Sequence, residues 1–378
     1  MGLEAKSRHR YAAFAWPSDV HSPSLRHYWE QLSARQQNPG AVYQSPAFFD
    51  YLKTTGDRNR LNVIAIIDRN TDAIVGVVPV QKAVTALPFS VGERTLLRSE
   101  VRSLTVLGSE PMVPDDPDAL DCLFLLMAQH YPQSQVIDMD AVPQGGFLWN
   151  YLNNSELIRR HYDLHVLHGF RDCHSVDIPG STGDYYRRLT KKRRYNLLRQ
   201  EKLLQEHAGA PLHLVVIDSP ETVGELFAAI DVLGATGEGD EAVLGKNKYV
   251  ALAEHGFLCC FVLKAGDRIL GLTLGTKSGK ILRIHRFFFD RNLEKYSPGT
   301  TLWQVVLRHL IRQAEFRSVD MGYGTPAYRY RATNTIIQKG KVLLFRRSMA
   351  NRCRILAHSG YSSAVNLLKA RREGLSPE

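Results

Sequence analysis

"ILRIHRFFFDRNLEKYSPGTTLWQVVLRHLIRQAEFRSVDMG", residues 281–322, decides how the second half of this chain folds. Its first nine residues are rich in Ile, Leu and Phe and read as a strand. "SVDMG" at its end reads as another, shorter strand. Between them Leu302, Val306, Leu310 and Ala314 recur at i, i+4, a stripe that packs a helix on a sheet. The helix opens with Ser297, Pro298, Gly299 and Thr300. Ser297 as N-cap accepts a hydrogen bond from the amide of Gly299 or Thr300. Pro298 then takes the first helical position, where its missing N–H costs nothing. Gly299 lacks a Cβ, so a ligand can approach the backbone closely. Such a start either holds a phosphate on its free amides or is ordinary capping, and this stretch alone leaves both open.

Upstream, "FLCCFVLKAGDRILGLTLGTKSGKILRIHRFFFD" reads as three strands joined by Ala-Gly-Asp and Lys-Ser-Gly-Lys turns, an antiparallel meander. Before it come a long helix over 184–208, the strand "LHLVVID" and a helix in "SPETVGELFAAIDVLG". The first half also alternates short elements: helices over 24–37 and 46–55, strands in "LNVIAIID", "AIVGVVPVQKA" and "SLTVLG", a helix in "DPDALDCLFLLMAQHY" and a strand in "SQVIDMD". Acidic residues in the first turn of that last helix suit its dipole. Alternation of this kind predicts an α/β, layered α+β architecture.

The 378 residues suggest roughly two domains at ~150 residues each. At 44% hydrophobic and 23% charged, a sizeable core is expected and disorder is not. No apolar run approaches the ~20 residues of a spanning helix, and "MGLEAKSRHR" leads into no apolar signal core, so a cytoplasmic protein is expected. Five cysteines, an odd number without C-x-x-C, argue against a disulfide framework or a zinc site. Fourteen histidines show no metal-ligand spacing, so no metal is expected. The net charge of +10 favours anionic partners: a phosphorylated cofactor, RNA or an anionic lipid face.

Helix 184–208 concentrates that charge in Arg187, Arg188, Lys191, Lys192, Arg193, Arg194, Arg199 and Lys202. Tyr186, Leu189, Leu197 and Leu204 form its apolar stripe, and Arg193 falls among them. An Arg there needs a partner: a buried carboxylate such as Asp320, or a ligand phosphate or carboxylate. The outward basic residues face tRNA, an anionic membrane surface, or solvent alone.

The run from His285 to Arg331 resembles the acyl-CoA-binding half of the GNAT superfamily, and more narrowly the acetyltransferases named for cellulose biosynthesis (CelD/BcsL type). The residues that carry this are an aromatic strand, Asp290, Ser297-Pro298-Gly299 before a long helix, Asp320-Met321-Gly322-Tyr323-Gly324, and Tyr328-Arg329. The layout is also similar to the Fem-type aminoacyl ligases, which carry two GNAT-like domains in tandem. The resemblance covers about residues 180–332 well; "YQSPAFFDYLK" and "IVGVVPV" extend it more weakly over 40–165. Arg329 stands where the family usually has Lys, keeping the charge but not the amine. A Trp-Lys pair common in the family is replaced by "GATGEGDEAVL", and the full GNAT phosphate loop is absent, so acyl-CoA binding rests on Ser-Pro-Gly.

The resemblance implies two GNAT-like domains in tandem, with a mixed, mostly antiparallel sheet flanked by helices: a degenerate N-terminal domain over 1–168, an acyl-CoA-binding domain over 169–348, and a basic helical tail over 349–378. It implies an acyltransferase that moves an acyl group from acyl-CoA to an amine or hydroxyl, with a sugar or polysaccharide precursor as acceptor. Ser297, Gly299, Thr300 and Thr301 are the candidate phosphate-holding residues. His285 is the candidate base or a satisfied sheet histidine; alternation puts it on one face with Ile281, Arg283 and Phe287. Asp320 orients a catalytic group or bonds the turn amides. Tyr323 and Tyr328 are candidates to protonate the leaving thiolate or to contact substrate, or they pack. Arg193, Arg329 and Glu238 are candidate substrate contacts, Glu238 with Asp240 and Glu241 in a Gly-rich loop that otherwise is only solvated. Alternatives are a Fem-like transferase using charged tRNA and a non-catalytic scaffold. The tail after Phe345 packs as a last helix or lies on an anionic membrane; packing is the expectation.

Overall fold

A computed structural model describes residues 10–17, 22–35, 40–91, 94–235, 245–323 and 335–372. In chain order the strands are β1 (Tyr11–Pro17), β2 (Leu61–Asp68), β3 (Ala73–Val91), β4 (Arg94–Val106), β5 (Val136–Pro143), β6 (Tyr162–Asp177), β7 (Leu212–Ile217), β8 (Cys260–Ala265), β9 (Arg268–Ser278), β10 (Ile281–Phe289), β11 (Ser318–Tyr323) and β12 (Thr335–Arg346). The helices are α1 (Pro23–Arg35), α2 (Pro46–Thr55), α3 (Pro117–His130), α4 (Phe147–Asn154), α5 (Glu156–His161), α6 (Thr182–Arg187), α7 (Lys191–Ala208), α8 (Val223–Leu233), α9 (Lys246–Glu254), α10 (Pro298–Gln313) and α11 (Met349–Arg372). The α/β class, with a mixed and mostly antiparallel sheet, is as expected. Among the described residues no helix is long and apolar enough to cross a membrane.

The chain divides into two compact units, Met1–Arg171 with Gln338–Glu378, and Asp172–Ile337. The expected boundary at 168/169 thus falls three residues later, inside β6. The expected end of the second domain at 348 does not hold, because Val342–Phe345 of β12 pair antiparallel with Met139–Val136 of β5. Strand pairing carries α11 back to the first unit, so the C-terminal segment is no separate tail.

Each unit repeats one plan: an antiparallel meander, then one parallel strand pair joined by a crossover helix. In the first unit the sheet order is β1-β2-β3-β4-β5-β12-β6. Ser103–Val106 of β4 run parallel to Val136–Met139 of β5, with α3 as the crossover. Leu120, Leu123, Phe124 and Met127 of α3 are buried against Ile64, Ile66 and Val78 of the sheet in one core cluster. Buried Asp138 on β5 accepts from Thr85 Oγ1 at 2.6 Å and faces Lys341 Nζ at 3.2 Å. In the second unit the order is β6-β11-β10-β9-β8-β7. Leu302, Val306 and Leu310 of α10 are buried with Leu282, Ile284 and Val319, as the i, i+4 stripe requires. Ala314 is not part of it: α10 stops at Gln313, and Ala314 caps it in the left-handed region at φ 52°.

The β3–β4 hairpin is far longer than "AIVGVVPVQKA" and "SLTVLG" suggested, pairing from Val80–Val106 out to Val91–Arg94. α11 packs on this hairpin: the Phe89 ring lies 5.4 Å from His358 and 5.2 Å from Tyr361. Behind it, His165 Nε2 of β6 lies 3.3 Å from His358 Nδ1. Burial, with His358 and His168 adding, pushes the His165 imidazole down to about 4, and burial lowers His358 as well. Both rings are neutral in the folded protein at pH values where the unfolded chain, with an ordinary His pKa of about 6.5, begins to bind protons. Stability is therefore full above that value and falls as pH drops toward the folded pKa. Urea midpoints should show about 1–2 kcal/mol lost for His165 by about pH 5, and His165→Leu should flatten that slope.

Candidate functional site

In the second unit β10 and β11 run parallel but pair only at Ile281–Ser318, Leu282–Val319 and Arg283–Asp320. Both strands then bulge, β10 between Ile284 and Arg286 and β11 between Asp320 and Gly322. Bulges bend strands and end pairing. Beyond them β10 stays with β9 and β11 with β6, so the carboxyl ends of the parallel pair open between them. This end of a parallel sheet, beside the start of the crossover helix, is where ligands bind in α/β folds.

The crossover helix starts differently from the expected cap. Ser297 lies in the left-handed region (φ 54°, ψ 51°) and its side chain makes no cap bond. Instead its Oγ accepts from Gln200 Nε2 of α7 at 3.2 Å, so the hydroxyl is spent on bracing one helix against another. The first ladder bond runs from Thr301 N to Ser297 O, 3.1 Å. The amides of Gly299 and Thr300 thus lie ahead of the ladder and are not satisfied by Ser297. Pro298 holds the first position as expected. Gly299 has a packing reason as well: a Cβ there would come within 3.2 Å of the Phe289 ring. Thr301 turns inward and is buried, its Oγ1 without a partner among the described residues, as is the amide of Gln304. That amide is near enough to the Tyr185 hydroxyl to lower its pKa, against the larger upward push of burial, yet makes no bond of ordinary geometry.

α7 holds this helix start in place. Arg308 of α10 grips Glu201 with both nitrogens, at 2.9 and 2.6 Å, and His207 stacks on Tyr296 at 4.2 Å. The expected single helix over 184–208 is two, α6 and α7, because the Thr190 hydroxyl accepts from Arg193 N and starts a new helix. Arg193 is half-buried near Tyr185.

The acid on β11 has found a different partner from the one expected. Asp320 is buried, accepts from Gly322 N at 2.9 Å and sits 3.7 Å from Arg283 Nε. Arg283 is its register neighbour across the parallel pair, which is why it, and not Arg193, takes this carboxylate. The turn-bonding reading of Asp320 is the one observed. Tyr323 closes β11 opposite Cys173. Tyr328, Arg329, Gly324, Glu238, Asp240 and Glu241 lie outside the described residues.

His285 is the residue around which β10 bulges. The bulge breaks the expected alternation: Phe287 packs on Trp303 of α10 at 6.2 Å, while His285 is solvent-accessible and shares a 2.9 Å hydrogen bond with Thr276 Oγ1. Its pKa is pushed down to about 4, first by desolvation and then by Arg283, with Asp320 opposing. The two bulges bring His285 and Asp320 to the same open strand end. Gln200, Arg283 and Glu201 carry no local signal for these roles: their pairings span from 37 to 107 positions, which no local pattern reveals.

The equivalent place in the first unit is closed. Asp116 caps α3 with its own carboxylate, Oδ1 accepting from Asp118 N at 2.9 Å, and also accepts from Tyr11 OH. The α3 amides are met by a carboxylate, so an anion there is repelled.

Residues 191–331 match the family model described as an acetyltransferase (GNAT) domain. No curated protein matches the chain. Among solved structures, FemX shares the fold at TM-score 0.57 and 11% identity, over 87% of this chain and 97% of that one. L-PGS from Bacillus licheniformis matches at TM-score 0.50 and 13% identity, over 89% and 96%. The C-terminal domain of a putative lysylphosphatidylglycerol synthetase from Agrobacterium fabrum matches at 0.50 and 10%, over 89% and 95%. Residues 191–331, which contain the strand opening just described, thus match an acetyltransferase (GNAT) domain, and the chain shares its fold with FemX over most of both lengths.

Proposed function

We propose that the second unit binds acyl-CoA and transfers its acyl group directly to an amine or hydroxyl, with a sugar or polysaccharide precursor as acceptor. The observation that carries this is the uncapped start of α10 beneath the opening of β10 and β11. The Gly299 and Thr300 amides would take the pyrophosphate, with Ser297 and Thr301 setting the geometry of that turn. The thioester carbonyl would lie against a strand amide freed by the opening, the oxyanion position. The acceptor attacks the thioester carbon while His285 takes its proton; the C–S bond breaks and the thiolate takes a proton from Tyr328 or Tyr323. Asp320 positions the turn, and Arg193, Arg329 and Glu238 contact substrate. The CelD/BcsL-type motifs supply the acceptor class. The closed start of α3 supports reading the first unit as degenerate for the donor.

Thr300→Pro tests the donor site directly. Proline deletes an amide that the helix ladder does not use and is tolerated in a first turn. Acetyl-CoA and longer acyl-CoAs should raise the melting temperature of the native protein. In Thr300→Pro, affinity should fall about tenfold, the loss of one hydrogen bond to a charged group, with helicity by circular dichroism unchanged. No shift with any acyl-CoA, and no thiol release with candidate sugars, would sink the proposal.

A second reading, aminoacyl transfer from charged tRNA, draws on α7. Lys191, Lys192, Arg194, Arg199 and Lys202 are exposed there around an exposed Tyr195, basic charge with an aromatic suited to nucleic acid. Filter binding of charged tRNA that is unchanged when these residues are replaced would count against it.

A further inference from the structure

α11 is expected to turn a polar face to water, and it does not. One face is packed on the hairpin through Ile355, His358 and Tyr361. The opposite face carries Met349, Cys353, Leu356, Ala357, Gly360 and Leu367, all exposed. Met349 and Leu356 are 75% and 71% exposed, the highest values for large hydrophobic side chains among the described residues. The hairpin beneath adds its own apolar end, with Leu96 at 68% and Leu97 at 63%. Leu97 is the cross-strand partner of Phe89, which α11 covers, so Leu97 projects from the same face of the sheet as α11. Several large aliphatic side chains on one surface exceed the scattered exposure that needs no explanation.

Charge says what covers them. Residues 349–372 contain Arg352, Arg354, Lys369, Arg371 and Arg372 and no Asp or Glu, with Arg352 paired to Asp163 and Arg354 bonded to Ser99 of the hairpin. The hairpin end adds no net charge, with Arg94 and Arg98 against Glu93 and Glu100. A second copy of this face would bring two strongly basic helices together and be repelled. Nucleic acid would meet aliphatic side chains where it needs stacking partners. An exposed aliphatic stripe within a basic helix suits the boundary of an anionic bilayer, which takes the apolar groups below the headgroups and the cations among them. We propose that α11 and the end of the β3–β4 hairpin dock the first unit onto an anionic lipid surface.

Cys353 lies in the middle of this face and is exposed, while the other four cysteines are buried, so a polarity-sensitive fluorophore can be placed there on the full chain. Vesicles of phosphatidylcholine with about one third phosphatidylglycerol should shift its emission to the blue and co-sediment the protein. Pure phosphatidylcholine should do neither, and raising salt from about 0.1 M to about 0.5 M should weaken binding. Leu97→Asp/Leu356→Asp, on exposed positions, should lower the partition coefficient by roughly tenfold or more, with the circular dichroism spectrum retained. No blue shift with anionic vesicles overturns the proposal even if the double variant misfolds. Equal binding to neutral vesicles overturns it too, as does a dimer that Leu356→Asp dissolves.

Discussion

His285→Ala is expected to lower kcat for acyl transfer by about 10²- to 10⁴-fold, the range a general base contributes, with KM for acyl-CoA nearly unchanged. The ring sits at the bulge of β10, accessible, and is held by Thr276 Oγ1 at 2.9 Å. Desolvation, with Arg283, pushes its pKa down to about 4. The imidazole is therefore neutral and able to accept a proton at all pH values above that. The acid limb of kcat/KM should fall near this value and not near the ordinary His pKa of about 6.5, and it should vanish in His285→Ala. An unchanged kcat would remove His285 from the mechanism and leave Asp320's turn as an anchor alone. Thr276→Val separates orientation from basicity: it should lower kcat while leaving the acid limb in place.

Gly275→Ala should be the most damaging single-methyl change in the second unit. A Cβ at Gly275 would lie 2.6 Å from Cys259 O and 2.9 Å from Arg283 O, both backbone atoms. Neither belongs to a flexible side chain that can move away. Gly275 is in register with Ile284, the residue just before the bulge, so the strain falls on the strand that positions His285. Overpacking of this kind costs about 3 kcal/mol, measurable as a lowered urea midpoint at unchanged m-value. The folded fraction should also show reduced kcat, since β9 and β10 must separate to admit the methyl group. A variant with native stability would mean that the meander is looser than its register indicates.

Much of the second unit is legible from sequence because its signals are local. The turns at Gly266 and Gly279, both at positive φ, mark the meander, and the stripe of Leu302, Val306 and Leu310 marks α10. The outer half of the β3–β4 hairpin is not legible locally because its buried face, Thr85, Leu87 and Val101, has its Phe89 end covered by α11, more than 250 positions away, while Val84, Leu96 and Leu97 stay exposed. The return of β12 to β5 could not be read either, since strand pairing between residues some 200 apart leaves no local trace.

By itself the sequence determined the tandem α/β plan, the crossover helix with Pro298 at its first position, and His285 and Asp320 as residues to watch. Periodicity, turn residues and motif order are properties of neighbouring positions, and the chain writes them directly. Tertiary structure alone decided what these residues do. It opened β10 from β11 by a bulge in each, turned Ser297 from cap to brace for Gln200, gave Asp320 to Arg283, and closed the start of α3 with Asp116. Each of these depends on which distant strand or helix arrives alongside, and register, a property of two segments at once, is written in neither one.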